Sequence, residues 1–502
     1  MTTPYGTTTF AYTAPGTAAP PRFVHATDPM GFSEREEWLE PAPVASSDPP
    51  ASVPTGMSPT LNNSNLQFRN SFHWDKNAYL AASCTPTGGC DYSKARLSHF
   101  THIAAGGAVK GTALESTRQP LENRAWYTYP GQVVSINAGT YNQPSAVGRV
   151  LDDGSTQLWR YAYDTTGLFK LTQVTDPLGR ITQFTYANGI DLLAITQATT
   201  PAYNPGGSMW TTIAQYTYDY RHRPLTYVDA AGQTTVTAYN AKGQLTTLTN
   251  PLGETTEYQY DTAHNLATVI NANSATDATY TYDSFARVRT YTDSEGWTVT
   301  YDYDAADRVT KVTYPDGSFE SYVYDRLDLV AYTDRQYRTW TYVYDANRRL
   351  TSVTDPQNQQ TQYGYDRDGR LTSLTDPRTN VTGWTYDVQG RLTGKQYPNT
   401  STVTYAYETT TSRLKSVTDA ASQVKTYSYA KDDRLTAIVY TGAVNSQAQC
   451  RLHLGPVLPA PGLAHRRCRH HAVHLRSRRL AGRPAGAAGA RPVRQQRHHL
   501  GL

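Results

Sequence analysis

Cysteine is scarce in this 502-residue chain: the four are Cys84, Cys90, Cys450 and Cys468. That excludes a disulfide framework for a protein of this size. Cys84 and Cys90 flank Thr85-Pro86-Thr87-Gly88-Gly89 and close a small loop if oxidised; two free thiols in a surface loop is the equal alternative. Long apolar runs are missing too. No stretch approaches the roughly 18 apolar residues of a membrane-spanning helix. No charged start followed by an apolar core resembles a secretory signal, so an exported form would rely on other segments or machinery. Apolar residues make up 38% of the chain, below the usual share of about 45–50%.

The net charge of +4 hides a split, because residues 451–502 hold 11 Arg and no Lys, Asp or Glu. Without them 35 basic residues face 42 acidic ones, which leaves −7 over residues 1–450. A mildly acidic body has no electrostatic footprint for nucleic acid. What the chain has in excess is tyrosine, 39 residues, a side chain that favours strands and seeks a partner for its hydroxyl.

Tyrosine also marks a period. A Tyr followed by Asp, or by a substitute for it, places that second residue at Asp219, Asn240, Asp261, Asp283, Asp304, Asp325, Asp345, Asp366, Asp387, Glu408 and Ala430, always 20 to 22 residues apart. An earlier copy is Tyr163-Asp164. Register kept over ten intervals identifies a tandem repeat. In the unit 361–377, Tyr363 and Tyr365 alternate with small or polar residues, the period of a strand. Asp366-Arg367-Asp368-Gly369 suits a type I turn followed by a left-handed residue. Gly167, Gly243, Gly369 and Gly390 supply that residue; Asp307, Asp328, Arg348 and Ala286 stand there in other copies, and Arg and Ala are the least comfortable, so those turns are expected to differ in shape. Leu371 and Leu374 break strict alternation, which a bulge or burial of both faces explains. Asp176-Pro177-Leu178-Gly179, Asn250-Pro251-Leu252-Gly253 and Asp355-Pro356-Gln357-Asn358 read as a second type I turn. Each repeat is thus two strands and two turns, with no room for a helix.

A single such hairpin buries about three large side chains, about 1.5–3 kcal/mol each, while ordering each residue costs about 1–2 kcal/mol. Neighbouring repeats must therefore pair into one long sheet, with Tyr beside Tyr across repeats. Sheets twist, and beyond about ten strands they curl or close. The expectation is all-β: hairpins in a curved or spiral sheet. Along the chain, residues 1–40 read as degenerate repeat strands, since Ala26-Thr27-Asp28-Pro29-Met30-Gly31 matches Val174-Thr175-Asp176-Pro177-Leu178-Gly179. Residues 41–59, with six Pro, read as a linker or long loop. Residues 60–150 are an irregular insert with strands and one short helix near 75–83. The array occupies 151–441.

Residues 442–502 form a basic Arg/His-rich tail, expected to be disordered. His470, His471 and His474 with Cys468 lack a second well-spaced pair for a metal site. A frame-shifted translation of GC-rich DNA is the preferred account. His99 and His102 lack a third partner. Glu34-Arg35-Glu36-Glu37 and Asp432-Asp433 read as exposed charge runs, and the repeat aspartates as turn formers. No catalytic, cofactor-binding or metal residue is assigned, no cofactor is implied, and an enzyme is not expected.

The pattern Tyr-Asp-x-x-Gly-Arg-Leu at Tyr365–Leu371 and Tyr386–Leu392 resembles the bacterial Rhs or YD repeat, shared with animal teneurins. The resemblance implies a spiral β-cocoon, here partial, which in bacterial members commonly encloses a toxic C-terminal domain delivered through secretion machinery. No Asp-Pro-x-Gly-Leu-like closing motif follows Tyr440, so the chain reads as an internal piece of a secreted or cell-surface shell whose partner is its own toxin domain. The alternatives are a wall-associated carbohydrate-binding module, using stacked Tyr and the eight Trp, and a truncated gene product without function.

Overall fold

The computed structural model describes residues 1–13, 22–85, 89–102, 110–165, 168–198, 210–442 and 450–451. From Thr9–Tyr12 to Cys450–Arg451, each strand pairs antiparallel with the strands before and after it in the chain. The result is one long sheet that does not close on itself, with a small separate hairpin at Thr2–Thr3 and Gly6–Thr7. Between Tyr216 and Tyr440 every hairpin is bonded to the next. The α-helix Lys76–Ala81, capped by the Asp75 side chain, falls within the expected 75–83.

One unit shows how the repeat builds wall. Strand Gln360–Tyr365 pairs with Leu371–Thr375, Tyr363 opposite Leu374 and Tyr365 opposite Leu371. Two residues separate Leu371 from Leu374 while one separates the tyrosines, and a register shift between Gly364 and Tyr365 absorbs the extra residue. The same bulge recurs at Tyr260, Tyr303, Tyr344 and Tyr386. It turns Tyr and both leucines of a unit to productive positions despite their unequal spacing.

The turns are more uniform than expected. Ala286, Asp307 and Arg348 adopt φ of 60°, 61° and 61°, the same left-handed conformation as Gly369 and Gly390. Two backbone hydrogen bonds per turn impose it, as in Asp366 to Arg370 (2.9 Å) and Gly369 to Asp366 (3.2 Å). Asp328 is the exception: it is not the left-handed residue. That unit is one residue shorter, Asp325 pairs with Asp328, and Arg326 takes the positive φ instead. The second turn has the same construction, with Asn358 at φ 61° donating to the Asp355 carbonyl at 2.9 Å.

The Tyr-beside-Tyr expectation is corrected. A Leu- or Val-bearing strand lies between successive Tyr strands, so the direct partner of Tyr363 is Leu374. Tyr–Tyr contacts form where the second strand itself carries a tyrosine: Tyr216–Tyr227, Tyr280–Tyr291 and Tyr322–Tyr332, at 5.3, 5.5 and 5.3 Å between ring centres.

Side chains of the array are mostly half-buried, as befits a wall one sheet thick. The fully buried clusters lie in the first third of the chain. One gathers Phe72, Trp74 and Leu97 with Ala78 of the helix. The other joins Met57 and Leu66, from the proline-rich 41–59 segment and its continuation, to Trp126 and Leu158. The proline-rich segment thus runs against the sheet, where Thr55 N donates to Thr156 Oγ1 at 3.0 Å.

Candidate functional site

The repeating element with the densest chemistry is the Tyr-Asp turn. In Asp366, Oδ1 accepts the backbone N–H of Asp368 (3.0 Å) and Arg370 (2.9 Å), while Oδ2 accepts Nε of Arg370 (2.6 Å). Asp219–Arg223, Asp304–Arg308, Asp345–Arg349 and Asp387–Arg391 repeat this pairing four residues apart. The arginine then reaches into the next repeat. Arg349 Nη1 donates to the Asp366 carbonyl at 2.6 Å, and Arg287 Nη1 to that of Asp304 at 2.9 Å. Its guanidinium covers the next tyrosine ring: Arg308 over Tyr324 at 4.2 Å, Arg391 over Tyr407 at 4.6 Å.

That tyrosine reaches back. The Tyr365 hydroxyl donates to the Leu350 carbonyl at 2.8 Å, Tyr386 to Leu371 at 2.8 Å and Tyr303 to Val288 at 2.8 Å. Tyr, Asp and Arg therefore form a clasp that links each unit to the next. The Arg223 hydrogen bond holds the Asp219 carboxyl at about 2, and the bond from Arg308 lowers Asp304 likewise. Burial pushes the hydroxyls of Tyr365, Tyr386 and Tyr407 up. Near neutral pH the carboxylates are charged and hydrogen-bonded, the phenols protonated and bonded. Both are committed to holding the wall together.

A second set of contacts runs between distant parts of the chain. Each strand end lies on one of two rims: the rim of the Tyr-Asp turns, and the opposite rim, which carries the Asp-Pro turns. The Tyr-Asp rim of residues 325–434 lies on the Asp-Pro rim of residues 1–180. Leu327 N donates to the Tyr5 hydroxyl at 2.9 Å, and Asn347 Nδ2 to Asp28 at 2.7 Å. Asp368 accepts the backbone N–H of Lys76 at 2.8 Å and of Asn77 at 3.2 Å. Gln389 Nε2 donates to Glu122 at 3.0 Å. Asp152 accepts the backbone N–H of Thr409 at 2.9 Å and Thr410 at 3.0 Å, and Gln157 Nε2 donates to Asp433 at 2.9 Å.

Contacts advance together along both stretches, so the sheet winds into a coil whose laps are sealed rim to rim. The residue that reaches across is mostly the one two places after the turn Asp: Leu327, Asn347, Asp368 and Gln389. Burial, and then the neighbouring Asp75 carboxylate, push Asp368 up.

The charge runs are corrected by this geometry. Arg35 and Glu37 are buried and ion-paired at 2.7 Å, because strand Ser33–Leu39 alternates and turns both inward. Asp432, whose side chain is 4% exposed, pairs with Arg180 across the seam. His99 is buried, with Nδ1 2.9 Å from Asn70 Oδ1 and Nε2 receiving Arg69 Nη2 at 3.1 Å; burial pulls its pKa down. His102 joins the sheet by backbone bonds to Ile136 and Ala138. Cys84 and Cys90 form a disulfide.

Among the described residues, no group of three or more His, Cys, Asp or Glu is placed to hold a metal ion, and no helix is long and apolar enough to cross a membrane. Gly167, Cys468, His470, His471 and His474 lie outside the described residues. Sequence reading carried the arginine four residues after the turn Asp as a member of the motif without assigning it a role, and missed the seam position two after that Asp. The arginine recurs at Arg223, Arg287, Arg308, Arg349, Arg370 and Arg391, and one place later, five after Glu408, at Arg413.

With the clasp and the coil described, comparison with known proteins agrees. Residues 211–382 match the family model Teneurin YD-shell, and residues 365–402 match RHS Repeat. Residues 211–402 are thus similar in sequence to Rhs/YD repeats of the shell type. No curated protein matches. Among solved structures, a crystal structure of TcdB2-TccC3-TEV is 12% identical with a TM-score of 0.47, covering 88% of this chain and 25% of that one. A Photorhabdus luminescens Tc holotoxin pore structure is 12% identical with a TM-score of 0.35, covering 85% and 27%. The chain thus spans about a quarter of the length of these solved chains.

Proposed function

We propose that this chain is part of the wall of a secreted shell that encloses a polypeptide, the toxic C-terminal domain of a longer protein, and keeps it shielded until delivery. The observation that carries this reading is the seam. A sheet that served only as a surface platform has no need to bond one lap to the next, whereas a container must close the gap between laps. Asp28, Glu122 and Asp152 supply that closure at regular intervals. The wall's own part is mechanical, with the Tyr-Asp-Arg clasps resisting the separation of neighbouring hairpins.

Limited proteolysis of the longer native gene product tests the proposal. The C-terminal domain is expected to survive protease that degrades the same domain in free form. Equal cleavage of the two forms sinks the reading.

A further inference from the structure

One hairpin departs from the others on the tyrosine face of the sheet. The pairs Tyr216–Tyr227, Tyr280–Tyr291 and Tyr322–Tyr332 each stand directly opposed across the ladder, with ring centres 5.3, 5.5 and 5.3 Å apart. The first tyrosine of each pair lies three residues before its turn Asp. Two residues further back the pairs differ. Ala214 and Ala278 stand there in the first two, and Glu320 in the third. No other unit of the array has an acid at this place, which elsewhere holds residues such as Thr256, Val299, Thr361 and Thr382.

Residues two apart in a strand share a face, so Glu320 sits beside Tyr322. Its Oε2 accepts the Tyr322 hydroxyl at 2.9 Å. Burial, and then the charge of Glu320, hold the Tyr332 phenol up at about 12. The same two causes raise Tyr314. Burial and the hydrogen bond to Glu320 raise Tyr322. Tyr216 and Tyr280 are raised by burial and by neighbouring tyrosines, with no carboxylate involved.

We propose that Tyr322 and Tyr332 are a site of oxidative cross-linking, with Glu320 as the proton acceptor that singles this pair out. Each phenol gives one electron to a small diffusible one-electron oxidant, two equivalents of which are reduced. A phenol that loses an electron becomes a strong acid, and its proton needs an acceptor within hydrogen-bond reach. Glu320 takes the proton of Tyr322, passes it to water, and then serves Tyr332 in the same way. The two phenoxyl radicals, held together by the strand pairing, join through one carbon–carbon bond between ring carbons ortho to oxygen. The ring hydrogens at those carbons move to the oxygens and restore both phenols, so the pair loses two electrons and two protons in all. The bond joins strands Phe319–Asp325 and Asp328–Thr333. Their turn carries Leu327, which donates across the seam to Tyr5, so oxidation fastens a hairpin that helps to seal one lap to the next.

Peptide mapping by mass spectrometry tests this on the full, dilute chain after brief oxidation by photogenerated tris(bipyridyl)ruthenium(III). Trypsin separates Val312–Arg326 from Leu327–Arg335. The two peptides are expected to appear joined and lighter by two hydrogen atoms, with fragmentation placing the link at Tyr322 and Tyr332. The link is expected to form at least about tenfold faster than one at Tyr216–Tyr227 or Tyr280–Tyr291, a lower bound for a positioned base. This comparison lies within one unaltered molecule and needs no variant. Glu320→Gln and Glu320→Thr, the latter bearing the residue of Thr361, are expected to lower the rate to that of the other two pairs, and Tyr332→Phe to abolish the joined peptide. Equal rates at the three pairs overturn the proposal. So does an undiminished rate in a Glu320 variant with unchanged circular dichroism, a link made through Tyr314 instead, or no link at all.

Discussion

Removing one clasp arginine measures how neighbouring hairpins hold each other. Arg391 donates Nε to Asp387 at 2.7 Å, approaches the Thr411 carbonyl at 3.4 Å and lies over Tyr407 at 4.6 Å. Both charged side chains are about one-seventh exposed, at 14% each. A hydrogen bond to a charged group contributes about 1.5–3 kcal/mol when well shielded, and an exposed ion pair about 0.2–1 kcal/mol. This pair lies between those limits, at about 1.5 kcal/mol. The ring contact adds about 0.5–1 kcal/mol. Arg391→Ala is therefore expected to cost about 2–2.5 kcal/mol, which corresponds to roughly a thirtyfold to seventyfold change in an opening equilibrium. A long array need not melt in one step, so amide hydrogen exchange is the suitable assay. Protection should fall by that factor at Thr385–Leu392 and Tyr405–Tyr407 and stay unchanged near Thr255–Tyr260. Arg391→Lys keeps the charge without the planar fork and should recover less than half of the loss. A change under threefold, or one spread evenly over the array, refutes the clasp.

Acid should loosen the array. The Arg223 hydrogen bond holds Asp219 at about 2, below the unfolded value of about 3.9. Its contribution is present above about pH 4 and lost as pH falls toward about 2, so far-UV circular dichroism should fade across that window; an unchanged signal contradicts the assignment. Ala286→Gly should stabilise the chain, since Ala286 sits at φ 60°. Relief of about 1–2 kcal/mol of left-handed strain, less about 0.4–1 kcal/mol of added unfolded-state entropy, leaves a gain of about 0.5–1 kcal/mol, readable in urea denaturation. Asp152→Ala removes the acceptor of the Thr409 and Thr410 N–H groups; exchange should quicken at Thr409–Arg413 while Thr234–Tyr239 keeps its protection, and equal loss at both places argues against a separate seam.

The wall was legible in the sequence because its period is local: Tyr, Asp, Gly and Leu recur at fixed offsets, and each offset corresponds to a strand, turn or bulge within one hairpin. The turn at Asp328 was misread because a one-residue deletion moves the left-handed position to Arg326, and spacing alone does not say which residue of a shortened turn absorbs it. The uniform turns of Ala286 and Arg348 show a tertiary hydrogen-bond pattern overriding residue preference. The seam was invisible for a different reason. Asn347 and Asp28 are 319 residues apart, and no periodicity reveals how many hairpins complete a lap. Asp432 was assigned to solvent for the same reason, since its partner Arg180 comes from another lap; Arg35 and Glu37 pair with each other within one strand, and the insert supplies Tyr92 to Glu37, which local spacing does not reveal.

The rim contacts act as a ruler for the circumference. Five successive turns, at Leu327, Asn347, Asp368, Gln389 and Thr409, each find a particular acceptor or donor in the first stretch of chain. Deleting one whole hairpin repeat between Gly243 and Asp304 would leave the local bonds within each remaining hairpin intact. It would also carry all the later turns past their counterparts by one step, with Asn347 brought to the place of Leu327. Hairpin number within a lap is thereby constrained by distant pairing even though no single hairpin is indispensable, so the width of such a coil should be inherited far more strictly than its height.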